Sequence, residues 1–160
     1  MRAMVLLASV LAFGTLGRVE ASEKAAAVAR HNRAGEKVWN RIKQRGAAVQ
    51  KHGGVVEYEH QAANGTWERA GFYMSGKQVQ IETPGQKGAQ LHRVMNFGVD
   101  AALHDTSVTY SVGGDSLMII RRPGQPVARK IALARGRFED VSRDDVKAFL
   151  AKHGKFKPAP

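Results

Sequence analysis

Glu57 and Glu59 stand two residues apart in VVEYEHQ, so an extended strand would project both carboxylates from one side. Acid–base work would also need one of them buried with a raised pKa, and nothing in the surrounding sequence supplies that. His92 and His104, with Asp100 or Asp105, are residue types that suit zinc. The six histidines, at 31, 52, 60, 92, 104 and 153, contain no HExxH and no i,i+4 pair, so exposed or hydrogen-bonded histidines are the simpler reading. Ser75-Gly76 and Ser111 lack the setting of a nucleophile elbow. Gly113-Gly114-Asp115 reads as a turn rather than a phosphate loop, because no helix follows it. The chain is therefore expected to be non-enzymatic and without a cofactor, and a metal-dependent enzyme using His92 and His104 ranks third.

The basic groups of the C-terminal half are better placed for binding. Arg121 and Arg122 precede the turn Pro123-Gly124-Gln125-Pro126, and Arg129 and Lys130 follow it. On adjacent strands they could form a phosphate- or carboxylate-binding patch. Neighbours on a strand face opposite sides, so at most one of each pair lines a given surface. A nucleic-acid partner is not expected, because Tyr58, Trp67, Phe72 and Tyr73 form no stacking motif interleaved with basic residues.

The elements that must position these groups can be read from periodicity. Ser22 to Lys51 has Val28, Gly35, Val38, Trp39, Ile42 and Val49 at helical spacing, with Arg30, Arg33, Lys37, Arg41 and Arg45 on a separate stripe. From Gly54 the period becomes two, with Val56, Tyr58 and His60 on one face. Asn64-Gly65 marks a hairpin turn. The stretch GFYMSGKQVQIETPG then gives a strand, a Ser75-Gly76 turn and a strand over Lys77 to Thr83, with Val79 and Ile81 on one face. Ala89 to Phe97 and Ser107 to Val112 are further strands, and Gly98 to Asp105 is ambiguous. Ser116 to Arg122 is apolar on both faces, and Val127 to Arg135 alternates throughout. Ser142 as N-cap, Asp145 three residues on, Val141 against Val146, and Gly154 at the end predict a short C-terminal helix. FKPAP reads as a frayed tail. The expected fold is α+β: a long N-terminal helix, a curved, mostly antiparallel sheet of six or seven strands, and a short C-terminal helix.

The first residues, MRAMVLLASVLAFGTLGRVEAS, combine Arg2, an apolar run over Ala3 to Phe13 and small residues up to Ala21. They predict a secretory signal peptide over 1–21 cleaved after Ala21, a single domain over 22–154 and a flexible tail over 155–160. The expected location is periplasmic or secreted, with no transmembrane span in the mature chain. With no cysteine, neither a disulfide nor a lipobox anchor is available. The balance of 25 Lys and Arg against 14 Asp and Glu gives a net charge of +11. That field favours anionic partners, although it also fits a basic exported protein with no such partner.

Two resemblances follow from these segments. EKVWNRIKQRGAAVQ, VVEYEHQ, the strand pair in GFYMSGKQVQIETP and the turn-plus-strand GGDSLMIIRRPG resemble the LolA-type periplasmic lipoprotein carriers. That resemblance implies an open, curved antiparallel sheet holding acyl chains against covering helices. Ser75-Gly76 stands where the family has a basic-Pro pair, so no headgroup-reading arginine is implied there. LHRVMNFG followed by SVTYSVGGDSL is similar to periplasmic inhibitors of c-type lysozyme, which implies a loop around Met95 to Gly98 probing a protein partner's cleft. Phe97 and Gly113 occupy the positions of that family's inhibitory groups.

The leading expectation is an exported binding or carrier protein for an amphiphilic or anionic partner. Phe72, Met74, Val79, Ile81, Leu117 and Ile119 are its apolar lining candidates, although ordinary core membership is the simpler reading of each. Arg121, Arg122, Arg129 or Lys130 would meet the anionic end. The lysozyme-inhibitor reading is the alternative.

Overall fold

The computed structural model describes residues 9–51, 55–73 and 76–160. Helix α1 (Ser9–Arg45) is followed by nine strands: β1 (Ala47–Lys51), β2 (Val55–Gln61), β3 (Trp67–Tyr73), β4 (Gly76–Pro84), β5 (Gln90–Phe97), β6 (Leu103–Val112), β7 (Asp115–Arg121), β8 (Ala128–Ala132) and β9 (Glu139–Asp140). Helix α2 (Arg143–His153) comes last. All strands join one open antiparallel sheet in strict chain order, β1 to β9. The α+β class stands, with more strands than the six or seven expected.

The extra strands have identifiable causes. The expected helix over Ser22 to Lys51 stops at Arg45, and Gly46 lets the chain turn tightly into the sheet, since a Cβ there would meet the Ile42 carbonyl at 2.9 Å and the Glu59 backbone at 3.0 Å. Residues 47–51, Val49 among them, therefore pair with β2 instead of extending the helix. The helix also begins earlier, at Ser9, while residues 1–8 of the expected leader lie outside the described residues. Gly98 to Asp105 resolves into a tight turn and the start of β6. Gly98 N–H donates to the Ala102 carbonyl, and the Asp100 carboxylate accepts from Ala102 N–H at 3.1 Å. At Asn64-Gly65 the expected turn is present, with Gly65 at φ 78° and Thr66 N–H donating to the Asn64 side chain. Of the other expected turn, Ser75 lies outside the described residues.

Strand register places both helices on one face of the sheet. The row Tyr58, Ala70, Val79 and Met95 faces α1, and the row Leu91, Tyr110, Leu117 and Ile131 faces α2. The resulting core has two clusters. Trp39, Ile42, Ala70, Val79, Met95, Phe97 and Leu103 form the first, beneath α1. Gly35 lets the helix approach closely, since a Cβ there would meet the Leu103 and Phe97 side chains at 2.8–2.9 Å. Ala89, Tyr110, Leu117 and Phe149 form the second, joined by Val146, Leu150 and Phe156. Alternation along each strand sends Glu57, Arg69, Gln80, Asn96 and Ser107 to the opposite face.

Helix α2 has the ends its sequence predicts. Ser142 accepts from Asp145 N–H at 3.2 Å while the Asp145 carboxylate accepts from Ser142 N–H at 2.9 Å, completing the capping box. Gly154, at φ 74° and ψ 175°, turns the chain out of the helix into an extended path. The tail expected to be flexible is laid against the turn after β4. Pro158 bridges Gly85, Gln86 N–H donates to the Lys157 carbonyl, and Ala159 N–H donates to the Pro84 carbonyl. Phe156 anchors it edge-on to Tyr110 at 5.9 Å.

Candidate functional site

The expected lining residues are distributed between the two packed clusters. Val79 is fully buried and Ile81 packs beside it beneath α1, whereas Leu117 and Ile119 belong to the cluster beneath α2. They serve as core because the face they share is the face both helices cover. Phe72 remains 43% exposed, edge-on to Trp39 at 5.1 Å, and Met74 lies outside the described residues. The four cations also separate. Arg121 pairs with Thr106 and Arg129 with Ile119 on the helix-covered face. Lys130 points to the other face and meets Asp140 at 3.0 Å. Arg122 sits past the end of β7, in a hollow shared with Asn32, Asp100, His104 and Asp105.

The histidine pair does not assemble. His92 is in register with Thr109, while His104 lies beside the Phe97–Leu103 end of the same hairpin. Five residues of strand separate the two levels, roughly 16 Å. The loop that a cleft-probing inhibitor would present is also turned inward: Met95 and Phe97 are each 5% exposed.

A different constellation stands out where β8 gives way to β9. The alternation from Val127 to Arg135 reads as one strand, but β8 ends at Ala132. Leu133-Ala134-Arg135-Gly136-Arg137-Phe138 then loops outward before Glu139 rejoins the sheet opposite Ile131. Ala134 (φ 49°) and Arg135 (φ 61°) are consecutive non-glycine residues in left-handed backbone, a conformation that surrounding bonds must impose. Here Ala134 N–H donates to Asp115 Oδ1 at 2.9 Å, Arg135 N–H to the Gly114 carbonyl at 2.8 Å, and Gly136 N–H to the Leu133 carbonyl at 2.8 Å.

The loop so held exposes Leu133 (59%) and Phe138 (38%). Between the loop and α2 runs a groove of about 520 Å³, with Ile131, Leu133, Val141, Ala148 and Phe149 among its apolar walls. Arg137 and Lys152 stand at its rim, together with Glu139 and the Asp145 carboxylate that caps α2. Apolar walls with cations at the mouth can take an acyl chain or other apolar tail and meet an anionic head. Sequence reading missed this site. Its only local signal is Gly136, flanked by arginines and by the apolar Leu133 and Phe138.

Asp115 connects the loop to the helix. Its Oδ2 accepts from Lys152 Nζ at 2.9 Å and lies 2.9 Å from His153 Nε2, so one carboxylate ties the loop backbone to the last turn of α2. The Ala134 N–H, followed by the bond from Lys152, lowers its pKa from 3.8 to about 2, with His153 adding to the same effect. Asp145 is lowered too, by its bonds from Ser142. A depressed carboxylate contributes stability that is complete above its unfolded value and is lost as pH falls through the folded one. Urea midpoints measured against pH should therefore drop between about pH 4 and pH 2, and Asp115→Asn should flatten that drop. An unchanged slope in the variant would mean that the latch does not form.

No protein-family model, no curated protein and no solved structure matches this chain. Among the described residues, no group of three or more His, Asp or Glu is placed to hold a metal ion, and no helix is long and apolar enough to cross a membrane.

Proposed function

We propose that this chain is a non-enzymatic binding protein for an anionic amphiphile, a lipid or lipid-modified molecule engaged in the groove between α2 and residues 131–141. The observation that carries this reading is the loop itself, where Leu133 and Phe138 are exposed within six residues that also carry Arg135 and Arg137. Exposed apolar side chains interleaved with arginines suit the boundary between lipid headgroups and acyl chains. The +11 charge of the whole chain would draw an anionic surface toward the loop. A sheet with both helices on one face is also what the carrier resemblance implies, and an exported location after cleavage at Ala21 would give the protein access to such lipids.

The site in this reading is not the one expected from β4 and β7, whose apolar residues pack against the helices. Arg137, with Arg135 on the same loop, takes the headgroup role first given to Arg121, Arg122, Arg129 and Lys130, since Lys152 is already held by Asp115.

Cosedimentation with vesicles tests the proposal. The protein should pellet with vesicles of phosphatidylglycerol and phosphatidylcholine, more weakly as salt is raised, and should stay in the supernatant with phosphatidylcholine alone. Equal partitioning onto both vesicle types would overturn it. Native mass spectrometry separates two modes of the same binding: a retained phospholipid indicates a carrier, and bare polypeptide with vesicle binding indicates a surface-associating protein.

A further inference from the structure

The face of the sheet opposite both helices has its own groove, of about 240 Å³, lined by Glu59, Trp67, Arg69, Gln80 and Glu82. We infer that this groove binds a neutral, hydroxyl-rich oligosaccharide, with the Trp67 indole as its stacking platform. Trp67 is 47% exposed, whereas Trp39, the other tryptophan, is buried under α1. A half-exposed indole offers an apolar ring face to the C–H face of a pyranose while its neighbours address the hydroxyls.

Those neighbours are held in position before any ligand arrives. Arg69 is fixed by Glu59 at 2.7 Å, with Glu57 at 3.9 Å. The Gln80 amide donates to Gln78 at 2.6 Å, Gln78 donates to Asn96 at 2.8 Å, and Asn96 donates to Asp105 at 2.8 Å. This relay sets the orientation of Gln80, the amide in the groove lining, which keeps its carbonyl oxygen and one N–H for a sugar hydroxyl. Pre-oriented polar groups around one aromatic platform cut the ordering cost of binding.

Charge excludes the ligand class of the other groove. Two carboxylates, Glu59 and Glu82, face one guanidinium here, so the local balance is acidic on a chain of +11. A phospholipid or sulfated glycan would be repelled where a neutral sugar is not.

Calorimetric titration with chitotetraose and cellotetraose, and with a heparin tetrasaccharide as polyanion, tests the assignment. A neutral tetrasaccharide should bind saturably, Trp67→Ala should weaken it more than tenfold, and Trp67→Phe should restore part of the loss. Vesicle binding should be the same in Trp67→Ala and the parent chain, because the lipid groove lies on the other face. Absence of saturable binding by both neutral tetrasaccharides overturns the inference, as does binding by heparin alone or affinity unchanged in Trp67→Ala.

Discussion

Trp39→Ala should destabilise the fold by about 3–5 kcal/mol, measured by urea unfolding followed by circular dichroism. Trp39 is 4% exposed and meets Phe72 and Phe97 edge-on, at 5.1 and 6.5 Å. Lys77 Nζ lies 5.4 Å from its ring centroid, which adds a cation–π contact. Removing the indole would leave a cavity bounded by Ile42, Val79 and Met95, at the point where α1 is anchored to the sheet. The other ties of α1 are weaker. Arg41 meets Glu68 at 2.6 Å, but the arginine is 39% exposed, so that pair is worth about 1 kcal/mol or less. For a domain with a total stability of about 5–15 kcal/mol, loss of the indole removes a large fraction, and loss of the ion pair does not. If Trp39→Ala unfolds within about 1 kcal/mol of the parent, α1 is not docked as described.

The double variant Leu133→Asp, Phe138→Asp should reduce partitioning onto phosphatidylglycerol-containing vesicles by more than tenfold while lowering the urea midpoint far less than Trp39→Ala does. Leu133 is 59% and Phe138 38% exposed in the free protein, so the fold gains less from them than from a core side chain. Immersed in the acyl boundary, each would contribute about 1 kcal/mol or more, and an aspartate there is costly. The arginines should behave differently. Arg135→Glu with Arg137→Glu would weaken binding mainly at low salt, since headgroup attraction of about 1 kcal/mol per cation is screened within a Debye length. A double aspartate variant that pellets as well as the parent would show that the loop is not the membrane-facing element.

How much of this was legible in the sequence depends on how local each signal is. Helix α2 was readable end to end because Ser142, Asp145 and Val146 act within its first turn and Gly154 acts at its last. The docking stripe of Trp39 and Ile42 was equally plain, as was the Asn64-Gly65 turn. Strand β1 was not, since AAVQK suits a helix as well as a strand and only its register with β2 decides. Residues 133–135 looked like the continuation of a strand. What turns them outward is a bond from Ala134 to Asp115, nineteen residues away, which no period records. Period two also showed which side chains share a face but not what covers that face. For this reason Val79, Ile81, Leu117 and Ile119 share a face in the sequence, and it is the helices over that face that pack them into the two clusters. The Trp67 groove draws on β2, β3 and β4 together, so it became visible only once their registers were known.

The strict strand order has a kinetic consequence. Each strand pairs with the next one in the chain, so every step of sheet formation closes only a short loop and costs little entropy. Asn32 meets Leu103 across 71 residues, and the tail reaches back to Pro84–Gln86. These distant ties bear the larger closure costs, so the strand hairpins are expected to form ahead of them, with α1 and the last five residues docking on the two clusters afterwards.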